Sequence, residues 1–201
     1  MWTVFSVLGI FSLGVISPGA DFSVVVKNSL TKGRKEGLLT ALGIATGITI
    51  HLTYSIFGLG IILNQNPSLI QWIKILGGFY LMYLGVRSLI GSTGIAKPEE
   101  KRTKPKTKRS WYYEGLLTNL LNPQAALFLI SIISSMMGNN PLSIVLLAGL
   151  VMALTGLSWF TIVSVIFSFK AMSNRFMQHE ALIGRMLGVL LIAFGIRLLF
   201  L

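Results

Sequence analysis

The sequence predicts an all-α membrane protein, with six transmembrane helices arranged as two inverted three-helix repeats and both termini on the outer side. Three observations carry this. First, only 11% of the 201 residues are charged against 53% hydrophobic, and the mean hydropathy is +0.76. A soluble domain normally carries about 25% charged residues, and one so poor in charge would expose large apolar patches. Second, apolar runs of roughly 20 residues, the length that crosses the hydrocarbon, recur along the chain without the alternation of a β-barrel. Third, the basic residues fall on alternate loops.

The six runs are 3–26, 38–63, 69–90, 116–137, 142–169 and 182–201, separated by loop-like stretches such as Asn-Gln-Asn-Pro (64–67) and Gly-Asn-Asn-Pro (138–141). The first is read as a true span, since no basic region precedes it and no small-residue cleavage site follows. With six spans, the loops after the first, third and fifth share one side. That side holds Lys27, Lys32, Arg34 and Lys35, then Arg87 and the cluster from Lys97 to Arg109, then Lys170, Arg175 and Arg185. Of the 17 Lys and Arg residues only Lys74 and Arg197 lie opposite. Basic loops stay in the cytoplasm, so both termini are expected outside. The net charge of +11 is therefore a topology signal, and no nucleic-acid partner is expected. The lipid bilayer is the expected environment.

The chain divides into a first three-helix repeat (1–90), a basic cytoplasmic linker (91–113) and a second repeat (114–201). Gly78 to Arg87 aligns with Gly188 to Arg197, sharing the glycine spacing and the Gly-x-Arg ending. Ser17-Pro18 aligns with Asn122-Pro123, each inside the first span of its half. An odd number of spans per copy inserts the copies in opposite orientation, an architecture common among secondary transporters. The pentapeptide Glu-Gly-Leu-Leu-Thr also occurs twice, at Glu36 and at Glu114, but out of frame with this repeat, and it is not counted. The linker is a solvated topology anchor, or a site for anionic headgroups.

Asp21 is the sole acid within the spans. A carboxylate there costs roughly 2.5–3.5 kcal/mol on insertion scales and marks a cavity or a partner. Ser17, Pro18 and Gly19 precede it. Proline lacks an N–H and glycine tolerates unwinding, so the helix is expected to kink or break there. Asn119, Asn122 and Gln124 flank Pro123 in the fourth span, placing amide donors and acceptors where the backbone is again disrupted. His51 lies in the second span on a stripe with Gly43 and Gly47. Such spacing fits close helix packing, and the histidine fits either a structural hydrogen bond or a proton relay. Trp159, Tyr80 and Tyr83 fit a site wall or aromatic packing. With two histidines and no cysteine no metal site is expected. No nucleophile–base–orienter set and no Walker sequence appear, so no catalytic residues, no cofactor and no enzyme activity are expected.

The segment Ser17-Pro18-Gly19-Ala20-Asp21-Phe22 resembles the Pro-Gly-Pro-Asp/Asn signature of the lysine-exporter and homoserine/threonine-exporter family of bacterial amino-acid efflux proteins. The likeness continues through Asn28-Ser29, Gly33-Arg34, Gly37 to Thr40, Gly43, Gly47 and His51. It resumes at Tyr80-Leu81 and Leu84-Gly85, runs from Gly115 to Phe128, and ends with Arg185, Gly188 and Gly195. Ala20 stands for the second proline of the signature and Gln124 for a frequent lysine, departures that bear on substrate identity. The resemblance implies a transporter in the bacterial cytoplasmic membrane that exports amino acids or related small metabolites, driven by the proton motive force. Substrate would meet Ser17, Pro18, Gly19, Asp21, Asn119, Asn122, Pro123 and Gln124, with proton coupling at Asp21 and His51. Cation efflux, or a non-transporting membrane scaffold, are the alternatives. The glycine-rich faces fit packing within one chain or in a homodimer.

Overall fold

The computed structural model describes residues 2–17, 19–65, 67–90, 108–137, 140–169, 182, 185–186, 188–197 and 199–200. All regular structure among them is helical: α1 (Trp2–Ile16), α2 (Ala20–Thr31), α3 (Arg34–Gln65), α4 (Pro67–Ile90), α5 (Lys108–Leu120), α6 (Pro123–Met136), α7 (Leu142–Phe167) and a C-terminal helix, Gly188–Arg197. Pro18 and most of the basic linker lie outside the described residues.

α3, α4 and α7 are each long and apolar enough to cross a membrane. Two further pairs qualify if each counts as one bent span: α1 with α2, turned by 49°, and α5 with α6, turned by 59°. Three to five candidate spans are therefore present among the described residues, and the last apolar run is represented by the shorter C-terminal helix. The breaks fall where the sequence placed Pro18-Gly19 and Asn122-Pro123.

α2 hands over to α3 through a two-residue turn. The N–H groups of Lys32 and Gly33 both donate to the Asn28 carbonyl, at 3.1 and 3.2 Å. Gly33 has φ +123°, a conformation open to glycine because it has no Cβ.

α3 is the central post, packing on α2, α4, α5, α6 and α7. Ala41, Ile44, Ala45, Ile48, Leu52, Ile56 and Leu59 are buried, at the three-to-four-residue spacing of one helix face. The bundle's outer surface is apolar instead, with Phe57, Ile61, Leu76, Phe79, Leu147 and Leu154 exposed. That inversion suits lipid. Lipid tails are as apolar as leucine, so close packing rather than hydrophobicity joins such helices, and small residues make it possible.

The Gly43–Gly47–His51 stripe performs this packing against α5. A Cβ on Gly43 would lie 2.0 Å from the Tyr112 carbonyl oxygen, and one on Gly115 would lie 2.1 Å from that of Thr40. The two backbones touch. α4 meets the C-terminal helix in the same way. Gly78 abuts the Gly195 carbonyl and Gly195 that of Gly78, while Gly85 and Gly188 do likewise.

At the end of the bundle where α2 gives way to α3, Asn28 is fully buried and donates to Thr40 Oγ1 at 3.0 Å and Glu114 Oε2 at 3.1 Å. Lys27 Nζ pairs with Glu114 Oε1 at 3.0 Å. This ties α2, α3 and α5 together beside the breaks.

Candidate functional site

The site starts from a missing hydrogen. Pro123 has no N–H, so the carbonyl four residues before it, that of Asn119, loses the donor a continuous helix would supply. Leu121 and Asn122 leave the helix, and Asn122 turns extended (φ −85°, ψ 101°). Its side chain then caps α6, Oδ1 accepting from the Gln124 N–H at 3.0 Å. The Asn119 carbonyl accepts instead from the Asn122 N–H at 3.0 Å and from His51 Nε2 at 3.1 Å.

The second of these bonds fixes the histidine. A carbonyl only accepts, so Nε2 carries the proton, and Nδ1 is left to accept from the Tyr54 hydroxyl beside it. His51 is 2% exposed, and this arrangement satisfies both ring nitrogens without a buried charge.

The Asn119 side chain faces the other way. Its Nδ2 donates to Asp21 Oδ2 at 2.8 Å, joining the second broken helix to the first across 98 residues of sequence. Asp21 lies in the first turn of α2, and the Gly19 before it supplies no side-chain cap. The remaining carboxylate oxygen, Oδ1, is buried and has no partner among the described residues. One arm of the carboxylate is anchored by Asn119, and the other is buried on the side of the Asn122 amide.

Asp21 lines a cavity between the two helix breaks. Ser17, Gly19, Asp21, Asn119, Asn122 and Gln124 form its polar end. Apolar side chains, among them Phe11, Phe22, Ile48, Leu84, Phe128 and Phe160, line the rest, with Gly14 beneath the Phe128 ring. The structure thus gathers six of the expected substrate residues around one space. Pro123 does not line it but starts α6, Pro18 lies outside the described residues, and His51 stands behind Asn119. Trp159, Tyr80 and Tyr83 do not line it either. No group of three or more His, Cys, Asp or Glu residues suited to a metal occurs among the described residues.

Two features escaped the sequence reading. The aromatic wall (Phe11, Phe128, Phe160) carries no signal in runs that are apolar throughout. The Lys27–Glu114–Asn28 cluster left a faint one, an acid next to an apolar run with a lysine at the end of another.

The histidine bond has a measurable consequence. His51→Gln keeps an amide donor within reach of the Asn119 carbonyl, whereas His51→Met fills similar space with none. The methionine variant is expected to unfold about 1–3 kcal/mol less stably than the glutamine one, the cost of a buried group left short of a partner. Thermal unfolding in detergent checks this, and equal stabilities would contradict the bond.

A bundle of membrane-length apolar helices, with two bent pairs meeting around a cavity lined by one carboxylate, is the build of a multi-pass membrane protein. Comparison with known families agrees. The chain belongs to the LysE type translocator family, whose model matches residues 12–201, and this family is one of translocators rather than enzymes. It is 30% identical to the threonine efflux protein of Escherichia coli K12, covering 93% of this chain and 92% of that protein. The threonine efflux protein of Salmonella typhimurium is also 30% identical, over 99% of this chain and 98% of its own. So is the uncharacterized membrane protein YahN of E. coli K12, over 98% and 89%. No solved structure matches the chain.

Proposed function

We propose that this translocator exports amino acids or related small metabolites from the bacterial cytoplasm and draws on the proton motive force to do so. The observation that carries the reading is the half-anchored carboxylate: Asp21 lines the cavity, its Oδ2 is held by Asn119, and its Oδ1 is buried without a hydrogen bond of good geometry. An α-ammonium group would meet Oδ1. The substrate carboxylate would meet the uncapped first turn of α2, where a helix N-terminus favours negative charge, and the amides of Asn122 and Gln124. Asp21 is also the group that would exchange a proton for the ammonium, because an unpaired buried carboxylate is costly and either partner relieves it. His51 is the second titratable group of the coupling path, joined to Asp21 through Asn119.

The proposed topology has six spans and outward termini, with inverted repeats 1–90 and 114–201 about the linker 91–113. Two features support the repeat. Each half carries one broken helix near its start, and the breaks meet through the Asn119–Asp21 bond. The aligned glycine pairs, Gly78 and Gly85 against Gly188 and Gly195, touch reciprocally as a two-fold axis between antiparallel helices requires. Rocking of the halves would alternate access.

Proteoliposomes carrying the protein and an imposed pH gradient provide the test. Radiolabelled amino acids from a broad panel should include at least one whose uptake collapses on adding a protonophore. No flux of any member would refute export and favour a scaffold role, whereas flux indifferent to the protonophore would refute the coupling alone.

A further inference from the structure

The charge inventory of the cavity goes further than the class of activity. Resting on the exporter reading above, we infer that the site selects zwitterions with an apolar side chain, leucine or methionine in kind, over hydroxylated, basic and acidic amino acids. This departs from the substrate in the names of the threonine efflux relatives.

Asp21 is the sole charged group among the described lining residues. Asn119 holds one of its oxygens, and the other makes no hydrogen bond of good geometry, so the carboxylate has room for one cation once Oδ1 turns to it. The α-ammonium common to all amino acids takes it. A lysine-like substrate would bring a second cation with no acid to receive it among the described lining residues, and a glutamate-like one an anion with no Lys or Arg among them. An uncompensated charge in such surroundings is strongly disfavoured.

Hydroxyl groups fare poorly for a related reason. The polar atoms are concentrated at the two helix breaks, and several are already engaged: Asn119 Nδ2 on Asp21 and Asn122 Oδ1 on the Gln124 N–H. What remains is enough for a backbone carboxylate. The walls beyond are Phe11, Val15, Leu84, Phe128, Phe160 and Leu191, which offer a side-chain hydroxyl no partner. The Phe128 ring also sets the size of that apolar end. It lies over Gly14 so closely that a Cβ there would come within 2.1 Å of the ring, which fixes one wall of the space.

Competition for uptake into proteoliposomes, with leucine, methionine, phenylalanine, threonine, lysine and glutamate as probes, decides the matter. Leucine or methionine should exceed threonine by about tenfold in kcat/KM, and lysine and glutamate by about 100-fold or more. Threonine, lysine or glutamate carried as well as leucine would overturn the inference and leave export standing. No carriage of any probe would overturn both. Phe128→Leu should raise the phenylalanine-to-leucine ratio by about fivefold, since the wall recedes by part of a ring. An unchanged ratio in a correctly folded variant would remove Phe128 from selection. If that variant does not fold, the wild-type panel still settles the substrate class.

Discussion

Asp21→Asn is expected to abolish pH-driven transport while leaving the protein as stable as before or more so. The amide keeps the hydrogen bond from Asn119 Nδ2, because its oxygen can still accept it. It removes a charge whose other oxygen is buried without a partner, and burying an uncompensated charge costs free energy. Its function should fall for two separable reasons. The ammonium loses a charged partner, a contact of about 1.5–3 kcal/mol, which raises KM roughly 10- to 100-fold. The group also can no longer bind and release a proton, so the pH gradient has nothing to act on. Counterflow without a gradient should therefore survive at raised substrate concentration, while gradient-driven accumulation drops to background. Undiminished gradient-driven uptake would remove Asp21 from the coupling step. A fall in thermal stability instead would mean that the carboxylate is structural.

The other large effect is expected at Gly43. A Cβ there meets the Tyr112 carbonyl oxygen at 2.0 Å and the Leu116 nitrogen at 2.7 Å, both backbone atoms that cannot swing aside. Gly43→Val should force α3 and α5 apart and destabilise the fold by about 3 kcal/mol, at the upper end of overpacking costs. α5 also carries Asn119 to the break, so the variant should lose transport along with stability. Gly58, on the same helix, has nothing within 4 Å of its missing Cβ. Gly58→Ala should be neutral or gain up to about 1 kcal/mol, as helix propensity favours alanine over glycine. Paired thermal-unfolding curves in detergent read the contrast, and equal midpoints for the two variants would show that the α3–α5 contact is not close in solution.

The two positions differ in how far sequence alone reaches them. Gly43 and Gly58 look alike along the chain, since both sit in one apolar helix and both are flanked by large apolar residues, Leu42 and Ile44 or Phe57 and Leu59. Spacing marks Gly43, Gly47 and His51 as a packing stripe and puts Gly58 on the same side, so nothing local says which helix the stripe meets or where the contact stops. The repeated Glu-Gly-Leu-Leu-Thr pentapeptides illustrate the same limit. They are out of frame as a repeat, and their relation is spatial: Gly115 of the second copy rests on Thr40 of the first. Glu114 illustrates it too, for its partners Lys27 and Asn28 lie 87 and 86 residues away.

What the sequence by itself determined was whatever depends on neighbours in the chain. Apolar runs set the spans, because hydrocarbon tolerates only segments that satisfy their own backbone. Pro18 and Pro123 set the breaks, because a missing N–H acts four residues back along the same helix. Asp21 stood out because it is alone among the spans as an acid. Tertiary structure decided the rest. It set Asn119 of the second broken helix on Asp21 of the first, turned His51 to the carbonyl that Pro123 had freed, and placed Asp21 on the wall of a cavity lined with phenylalanines. Each is a pairing between distant segments, and which distant segments meet is fixed by how whole helix faces pack.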